Sequence, residues 1–236
     1  MADAQRLVET VHARRLSVLR GALMTRTGLL GGSFNPAHRG HRRISAEAIR
    51  ALGLDEMWWL VSPGNPLKPK AGMASLRARF ASAQRAARGL PIRVTAIERE
   101  LGSPYTVETL HALARRFPRR RFIWLMGEDN LAQFHRWKDW RVIARTVPIA
   151  VVARPGYIGA ARGARAMGWL RRFVRPAADA RHWTEWRTPA LVFLSLPPDP
   201  TNATAIRAAS PHWHLSSLYS FKPEVRRDGV TRRPIT

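Results

Sequence analysis

Short apolar runs and longer amphipathic stretches alternate along the chain from about residue 27. Thr27–Leu30 is apolar and runs into Gly31-Gly32, which predicts a buried strand leaving into a tight turn. Gly40–Leu52 has helical spacing and ends at Gly53, a C-terminal cap residue. Glu56–Val61 is the next strand, followed by the proline-punctuated loop Pro63–Lys70. Ala74–Arg88 predicts a helix stopping at Gly89, and Ile92–Ala96 a strand. Thr106 is a candidate cap for a helix running to about Arg116, with Glu108 in its first turn. Arg121–Met126 is a strand, Trp137–Ala144 a helix and Pro148–Ala153 a strand. Gly159–Phe173 reads as a helix, 176–189 as an irregular surface loop, Ala190–Leu194 as a strand, and Thr204–Ala209 and Ser217–Arg227 as late helices.

This order predicts an α/β fold with a doubly wound parallel sheet. In such sheets ligands bind beyond the carboxyl ends of the strands. Gly31–His41, Pro63–Lys70, Gly127–Asp129 and Thr201–Arg207 all fall there. The boundary is set at residue 26: 1–26 is an Arg-rich extension, read as a short amphipathic helix packed on the domain formed by 27–236. An organelle transit peptide is the other reading, which Asp3 and Glu9 oppose.

Composition narrows the classes. The chain of 236 residues is 45% hydrophobic, enough for a sizeable core. With no cysteine, a disulfide scaffold, a Cys-ligated zinc site and thiol catalysis are excluded, and a reducing, cytoplasmic setting fits. No stretch approaches the ~20 apolar residues that span a bilayer, so no membrane partner is expected. The formal charge of +24 favours phosphate-bearing ligands and some non-specific nucleic-acid binding. Most of the basic residues are scattered arginines, and no nucleic-acid motif accompanies them, so no specific nucleic acid is expected.

Two segments carry chemistry. In Gly31-Gly-Ser-Phe-Asn-Pro-Ala-His38-Arg-Gly-His41, paired glycines let backbone approach a ligand, and two histidines flank a helix start whose N–H groups favour phosphate. A metal-binding histidine pair is an alternative, but the turn offers no third ligand; a structural turn with solvated histidines is another. In Thr201-Asn-Ala-Thr204-Ala-Ile206-Arg207, Asn202 or Thr201 caps a helix that sets Thr204 and Arg207 on one face. That face suits a triphosphate, although an ordinary capped helix has the same pattern.

Together the segments resemble the nucleotidyltransferase superfamily, with its H-x-G-H and late S/T-x-x-T-x-I-R motifs. Pro63–Lys70, the stretch from Glu98 through Ser103-Pro-Tyr105-Thr106, Met126-Gly-Glu-Asp129, Trp137-Lys-Asp-Trp140 and Arg154-Pro-Gly-Tyr157 are similar to the bacterial nicotinate-nucleotide adenylyltransferase family within it. The resemblance covers about residues 27–225. It implies a Rossmann-like nucleotidyltransferase fold that joins the adenylyl group of ATP to nicotinate mononucleotide, releasing pyrophosphate in NAD biosynthesis. Two residues depart from the family pattern: Asn35 stands where Asp is usual, and Asn202 where Ser is usual.

The resemblance implies His38 and His41 as catalytic residues. It implies an ATP site of Gly31, Gly32, Ser33, Phe34, His38, His41, Asp129, Thr204 and Arg207. It implies an acceptor site of Lys68, Tyr105, Thr106, Trp137 and Arg154. The nicotinate ring would lie against Trp137 and its carboxylate near the Tyr105–Thr106 backbone. A core role remains open for Trp137, a helix cap for Asp129 and a solvated role for Lys68. Mg²⁺ would be held by ATP phosphates and water, with no metal site of the protein's own. The attacking phosphate oxygen is already ionised, so no general base is required, and histidine protonation beside polyphosphate would add charge. Alternative acceptors are nicotinamide mononucleotide and pantetheine phosphate. A basic nucleic-acid-binding domain without turnover is the reading from another class.

Overall fold

Alternating side chains in Glu56–Val61 divide between the two faces of a sheet. Trp58 and Leu60 enter one core, while Met57, Trp59 and Val61 enter the other. A strand apolar on both faces belongs inside a parallel sheet covered on both sides. The computed structural model of the chain describes residues 24–64, 72–153, 163–195, 201–215 and 227–235. The predicted N-terminal helix, most of Ser217–Arg227, and Lys68 and Arg154 lie outside them.

The elements in order are β1 (Thr25–Gly32), α1 (Arg39–Leu52), β2 (Glu56–Val61), α2 (Leu76–Ala87), β3 (Ile92–Thr95), α3 (Ile97–Leu101), α4 (Thr106–Arg116) and β4 (Arg120–Gly127). Then follow α5 (Glu128–Gln133), α6 (Trp140–Thr146), β5 (Ile149–Ala153), α7 (Met167–Leu170), β6 (Val174–Arg175), β7 (Leu191–Ser195) and α8 (Ala203–Ala209). The seven strands form one parallel sheet in the order β3-β2-β1-β4-β5-β7-β6. The chain winds outward from β1 through β2 to β3, then returns to the other side of β1 with β4. The crevice at the carboxyl ends of β1 and β4 is therefore the switch point where this class of sheet binds ligands. This is the doubly wound α/β fold read from the sequence.

Local chemistry sets the element ends. Gly53 closes α1 in the left-handed region (φ 59°), its N–H donating to Ile49 O. Ser75 caps α2 by accepting from Ala78 N at 3.2 Å. The α1 face is anchored by Ala48 and Leu52, and Ser45 Oγ accepts from the buried Trp59 indole at 2.8 Å. At the free edge of β3, Gly229 N donates to Val94 O at 2.8 Å. The buried Asp228 accepts from Ala96 N, Val230 N and Thr231 N. The C-terminal segment thus covers an edge that would otherwise expose unpaired backbone.

Four expectations change. Residues 176–189 are not an irregular surface loop: Ala177–Glu185 forms 3₁₀ turns that bury Ala180 and Trp183, and the Trp183 indole donates to Leu52 O at 3.1 Å. The helix over Gly159–Phe173 reduces, among the described residues, to Met167–Leu170 and a 3₁₀ turn. The helix expected from Trp137 starts at Trp140, because Asp139 sits at φ 50° and interrupts it. Tyr105, not Thr106, is the N-cap of α4, and no side chain caps that end.

Candidate functional site

The loop after β1 is shaped by the two histidines themselves. His38 is the N-cap of α1, and its Nδ1 accepts from Gly40 N at 3.1 Å. His41 reaches back, its Nδ1 accepting from His38 N at 3.3 Å. This reciprocal arrangement is a capping box built from imidazoles. An Nδ1 that accepts cannot carry the proton, so both rings are Nε2–H tautomers. The ring centroids are 3.9 Å apart, and His41 lies against Phe34, 4.8 Å away. Phe34 is 1% exposed and stacks on Trp59 in the core, so its side chain buttresses His41. Only its backbone is available to a nucleotide.

Gly40 explains the glycine between the histidines. A Cβ there would lie 2.9 Å from His38 Cε1 and 3.0 Å from the Thr201 carbonyl oxygen. The start of α1 therefore touches the backbone that leads into α8. Asn202 caps α8, accepting from Ala205 N at 2.8 Å, which fulfils the expectation for the Asn at that position. Arg207 then reaches across: Nη1 donates to Asn35 O at 2.7 Å and Nη2 to Thr204 Oγ1 at 3.2 Å. The early and late segments meet, as their shared chemistry requires. Asn35 is itself a junction. Its amide donates to Gly72 O at 3.0 Å and its Oδ1 accepts from Ala74 N at 3.2 Å, a dual role no carboxylate could fill.

Beneath this loop lies a charge the sequence did not reveal. Arg79, on α2, is 1% exposed and donates to Ser33 O (2.8 Å), Ser62 O (2.7 Å) and Ala74 O (2.9 Å). Burial lowers its pKa from the ordinary arginine value. No carboxylate pairs with it among the described residues. It ties the ends of β1 and β2 together and places positive charge under the turn. Its helical position among Ala78, Phe80 and Ala81 was the available signal: an arginine on an apolar face.

Beside the turn is an open cavity of about 160 Å³ at the switch point. Gly31, Gly32 and Ser33 form one wall, Ser62 and Gly64 a second, and Pro104, Tyr105 and Thr106 a third. Trp124, Trp137, Asn130, Arg136, Lys138 and Glu98 complete it. Gly31 is needed here, since a Cβ would strike the Trp124 indole at 2.8 Å. Trp137 packs edge-on against Trp124 and Phe134 while lining the cavity, so it is both a core residue and a wall. Thr106 lines the cavity at the uncapped N-terminus of α4, where backbone N–H groups favour an anion. Lys138 stands 4.4 Å over the Tyr105 ring and pairs with Glu108 at 2.7 Å; each holds the other in its charged form.

Asp129 is exposed, and its carboxylate folds back over Gly127, where a Cβ would lie 2.3 Å from Oδ1. It does not cap α5, whose N-cap is Gly127 without a side-chain bond. Among the wall residues, Ser62, Glu98, Trp124, Asn130, Arg136 and Lys138 were not singled out from the sequence. Glu98 is 5% exposed, and its pKa is raised from 4.5 to about 7 by burial, opposed by a hydrogen bond with Ser62.

Residues 29–209 match the model of the cytidylyltransferase-like family. A probable nicotinate-nucleotide adenylyltransferase from Erythrobacter litoralis is 64% identical over 210 residues, covering 89% of this chain and 94% of that protein. One from Parvibaculum lavamentivorans is 53% identical over 182 residues, covering 77% and 90%. The fold is similar to that of the Plasmodium falciparum nicotinic acid mononucleotide adenylyltransferase complexed with NaAD. That match has a TM-score of 0.56 and 12% identity, covering 78% of this chain and 83% of that one.

Proposed function

The chain belongs to the cytidylyltransferase-like family and, within it, to the nicotinate-nucleotide adenylyltransferases, and from that premise we propose how its site transfers the adenylyl group of ATP to nicotinate mononucleotide. The observation that carries the reading is the Arg207 clasp on Asn35 O, together with the Gly40–Thr201 contact. These bring two phosphate-suited helix starts to one place beside the open cavity at the switch point.

The triphosphate lies over Gly31–Ser33 and the start of α1, reached from the late side by Thr204 and Arg207. The Nε2–H groups of His38 and His41 donate to phosphate oxygens as charge develops on them. Their Nδ1 contacts to backbone hold both rings in the donor tautomer before substrate arrives. Buried Arg79 adds a fixed positive charge beneath the same turn.

The acceptor occupies the cavity, its ring near Trp137 and its carboxylate at the open N-terminus of α4. Lys68 and Arg154 are the remaining candidates for its phosphate, and Asp129 for a ribose hydroxyl. A phosphate oxygen of the acceptor attacks the α-phosphorus of ATP. A new P–O bond forms, the bond from that phosphorus to the α–β bridging oxygen breaks, and pyrophosphate leaves with the electron pair. The nucleophile is already anionic, so alignment and charge stabilisation supply the catalysis.

No cluster of three or more His, Asp or Glu side chains suited to a metal occurs among the described residues. When bound, Mg²⁺ would be carried by ATP phosphates and water and would neutralise charge on the leaving group. No described helix is long and apolar enough to cross a membrane.

Equal amounts of dinucleotide and pyrophosphate should form from ATP plus nicotinate mononucleotide, and neither from ATP alone. His41→Ala should lower kcat about 10²–10³-fold, as loss of one preorganised donor does elsewhere. Unchanged turnover in that variant would remove His41 from the mechanism.

A further inference from the structure

We propose that Arg79 is a positioning residue for the transfer: its one guanidinium holds the phosphate turn and the acceptor wall at a fixed separation, so that the two bound substrates meet in line. The proposal rests on the donor and acceptor sites read above.

The two walls come from neighbouring strands whose pairing ends at the cavity. β1 and β2 are in register up to Gly32 and Val61, and Ser62 N donates to Gly32 O at 3.0 Å. Beyond that bond, no backbone hydrogen bond joins the two chains among the described residues. Ser33 continues into the turn, while Ser62 and Gly64 form the second wall. Arg79 takes over where the ladder stops. Of the two protons on Nη1, one goes to Ser33 O at 2.8 Å and the other to Ser62 O at 2.7 Å. Nη2 points to Pro63 O at 3.5 Å, and Nε donates to Ala74 O at 2.9 Å. The last contact extends the hold to the late segment. Ala74 N donates to Asn35 Oδ1 at 3.2 Å, and Asn35 O accepts from Arg207 at 2.7 Å. Phosphate turn, acceptor wall and Arg207 are thus all referred to one planar group.

At 1% exposure the Arg79 side chain cannot touch a substrate, so it acts through these carbonyls. A guanidinium buried without a carboxylate is a costly way to fill a helix position flanked by Ala78 and Phe80. What it adds over an apolar side chain is a rigid fork of donors in one plane, which a lysine ammonium does not provide. The reaction depends on such rigidity. The α-phosphorus belongs to the ligand over the turn and the attacking oxygen to the ligand against the second wall, so the separation of the walls sets their approach.

The test is Arg79→Lys, which keeps the charge and loses the fork. Its kcat, taken per folded molecule, should fall about 10²-fold. KM for ATP and for nicotinate mononucleotide should each stay within about threefold of wild type, because each ligand keeps its own wall. The dinucleotide product spans both walls, so calorimetry should show its affinity falling at least about tenfold while ATP and the mononucleotide bind alone as before. A contact that served folding alone would lower stability and leave this split unmoved. A second measurement uses the unmodified protein and decides the question even where the variant does not fold. Arg79 is the buried arginine among the described residues, and nitrogen-15 NMR should show its Nη–H signals separate, protected from solvent and persistent when either substrate binds. Wild-type kcat in folded Arg79→Lys, a loss confined to the KM of one substrate, or a freely rotating Arg79 guanidinium would overturn the proposal and leave the function standing. No dinucleotide from the unmodified protein would overturn both.

Discussion

Replacing Gly40 with alanine adds one methyl group at the point where the early and late segments touch. An added Cβ would lie 3.0 Å from the Thr201 carbonyl oxygen and 2.9 Å from His38 Cε1. Ordinary carbon–oxygen contacts begin near ~3.3 Å and carbon–carbon contacts near ~3.5 Å. Either α8 or the His38 ring must therefore yield by several tenths of an ångström. The ring is held by the Gly40 N–H and the carbonyl is backbone, so neither moves without disturbing the phosphate site. For stability the substitution is mild, because alanine within a helix is favoured over glycine by up to ~1 kcal/mol. For catalysis it is severe, since misplacement near 1 Å can cost on the order of 10²-fold. Gly40→Ala should thus keep its denaturant midpoint close to wild type while kcat/KM for pyrophosphate release falls about 10²-fold. A variant with both properties intact would show that the two segments do not need this contact. A variant that loses activity only because it unfolds would assign the glycine to folding.

Arg79→Met should cost about 4 kcal/mol in chemical denaturation, because the Ser33, Ser62 and Ala74 carbonyls each lose a charged donor. Stability near wild type would show that these carbonyls find other partners. Asn35→Asp should cost about 1–3 kcal/mol by the same measurement, since a carboxylate cannot donate to Gly72 O. No change would mean that the amide is not read as a donor. Glu98 also links stability to pH. The unfolded chain ionises it above 4.5, while the folded protein keeps the proton to about 7. Between those values the unfolded chain holds fewer protons, so stability is full below pH 4.5 and falls as pH rises, by about 3 kcal/mol in total. Urea midpoints of wild type and Glu98→Gln should converge at pH 4.5 and separate by pH 8, and parallel curves would contradict the assignment.

Legibility followed the range of the interactions. β2 was readable because Met57–Val61 is an unbroken apolar run, and the end of α1 because Gly53 announces it. Spacing set His38 beside His41 and Thr204 beside Arg207 within each segment, and the family resemblance supplied the roles expected of them. Their meeting depends on Asn35 O and Thr201 O, backbone atoms that carry no sequence signature. Glu98 and Arg79 were missed for the same reason, since Ser33 and Ser62 lie just past the ends of β1 and β2, far from them in sequence. The 3₁₀ turns of Ala177–Glu185 lack the period of a helix, and the burial of Trp183 depends on the carboxyl end of α1. Histidine as a helix cap also falls outside the usual Ser, Thr, Asp and Asn signals.

The central claim is that one cavity at the switch point delivers a carboxylate-bearing nucleotide to ATP held by the joined helix starts. Dinucleotide formation from ATP, followed side by side with nicotinate mononucleotide and its amide counterpart, tests it most directly. The account predicts a kcat/KM at least 10-fold higher for the acid, because the open N-terminus of α4 and Lys138 favour an anion. Equal rates, or a preference for the amide, would contradict it.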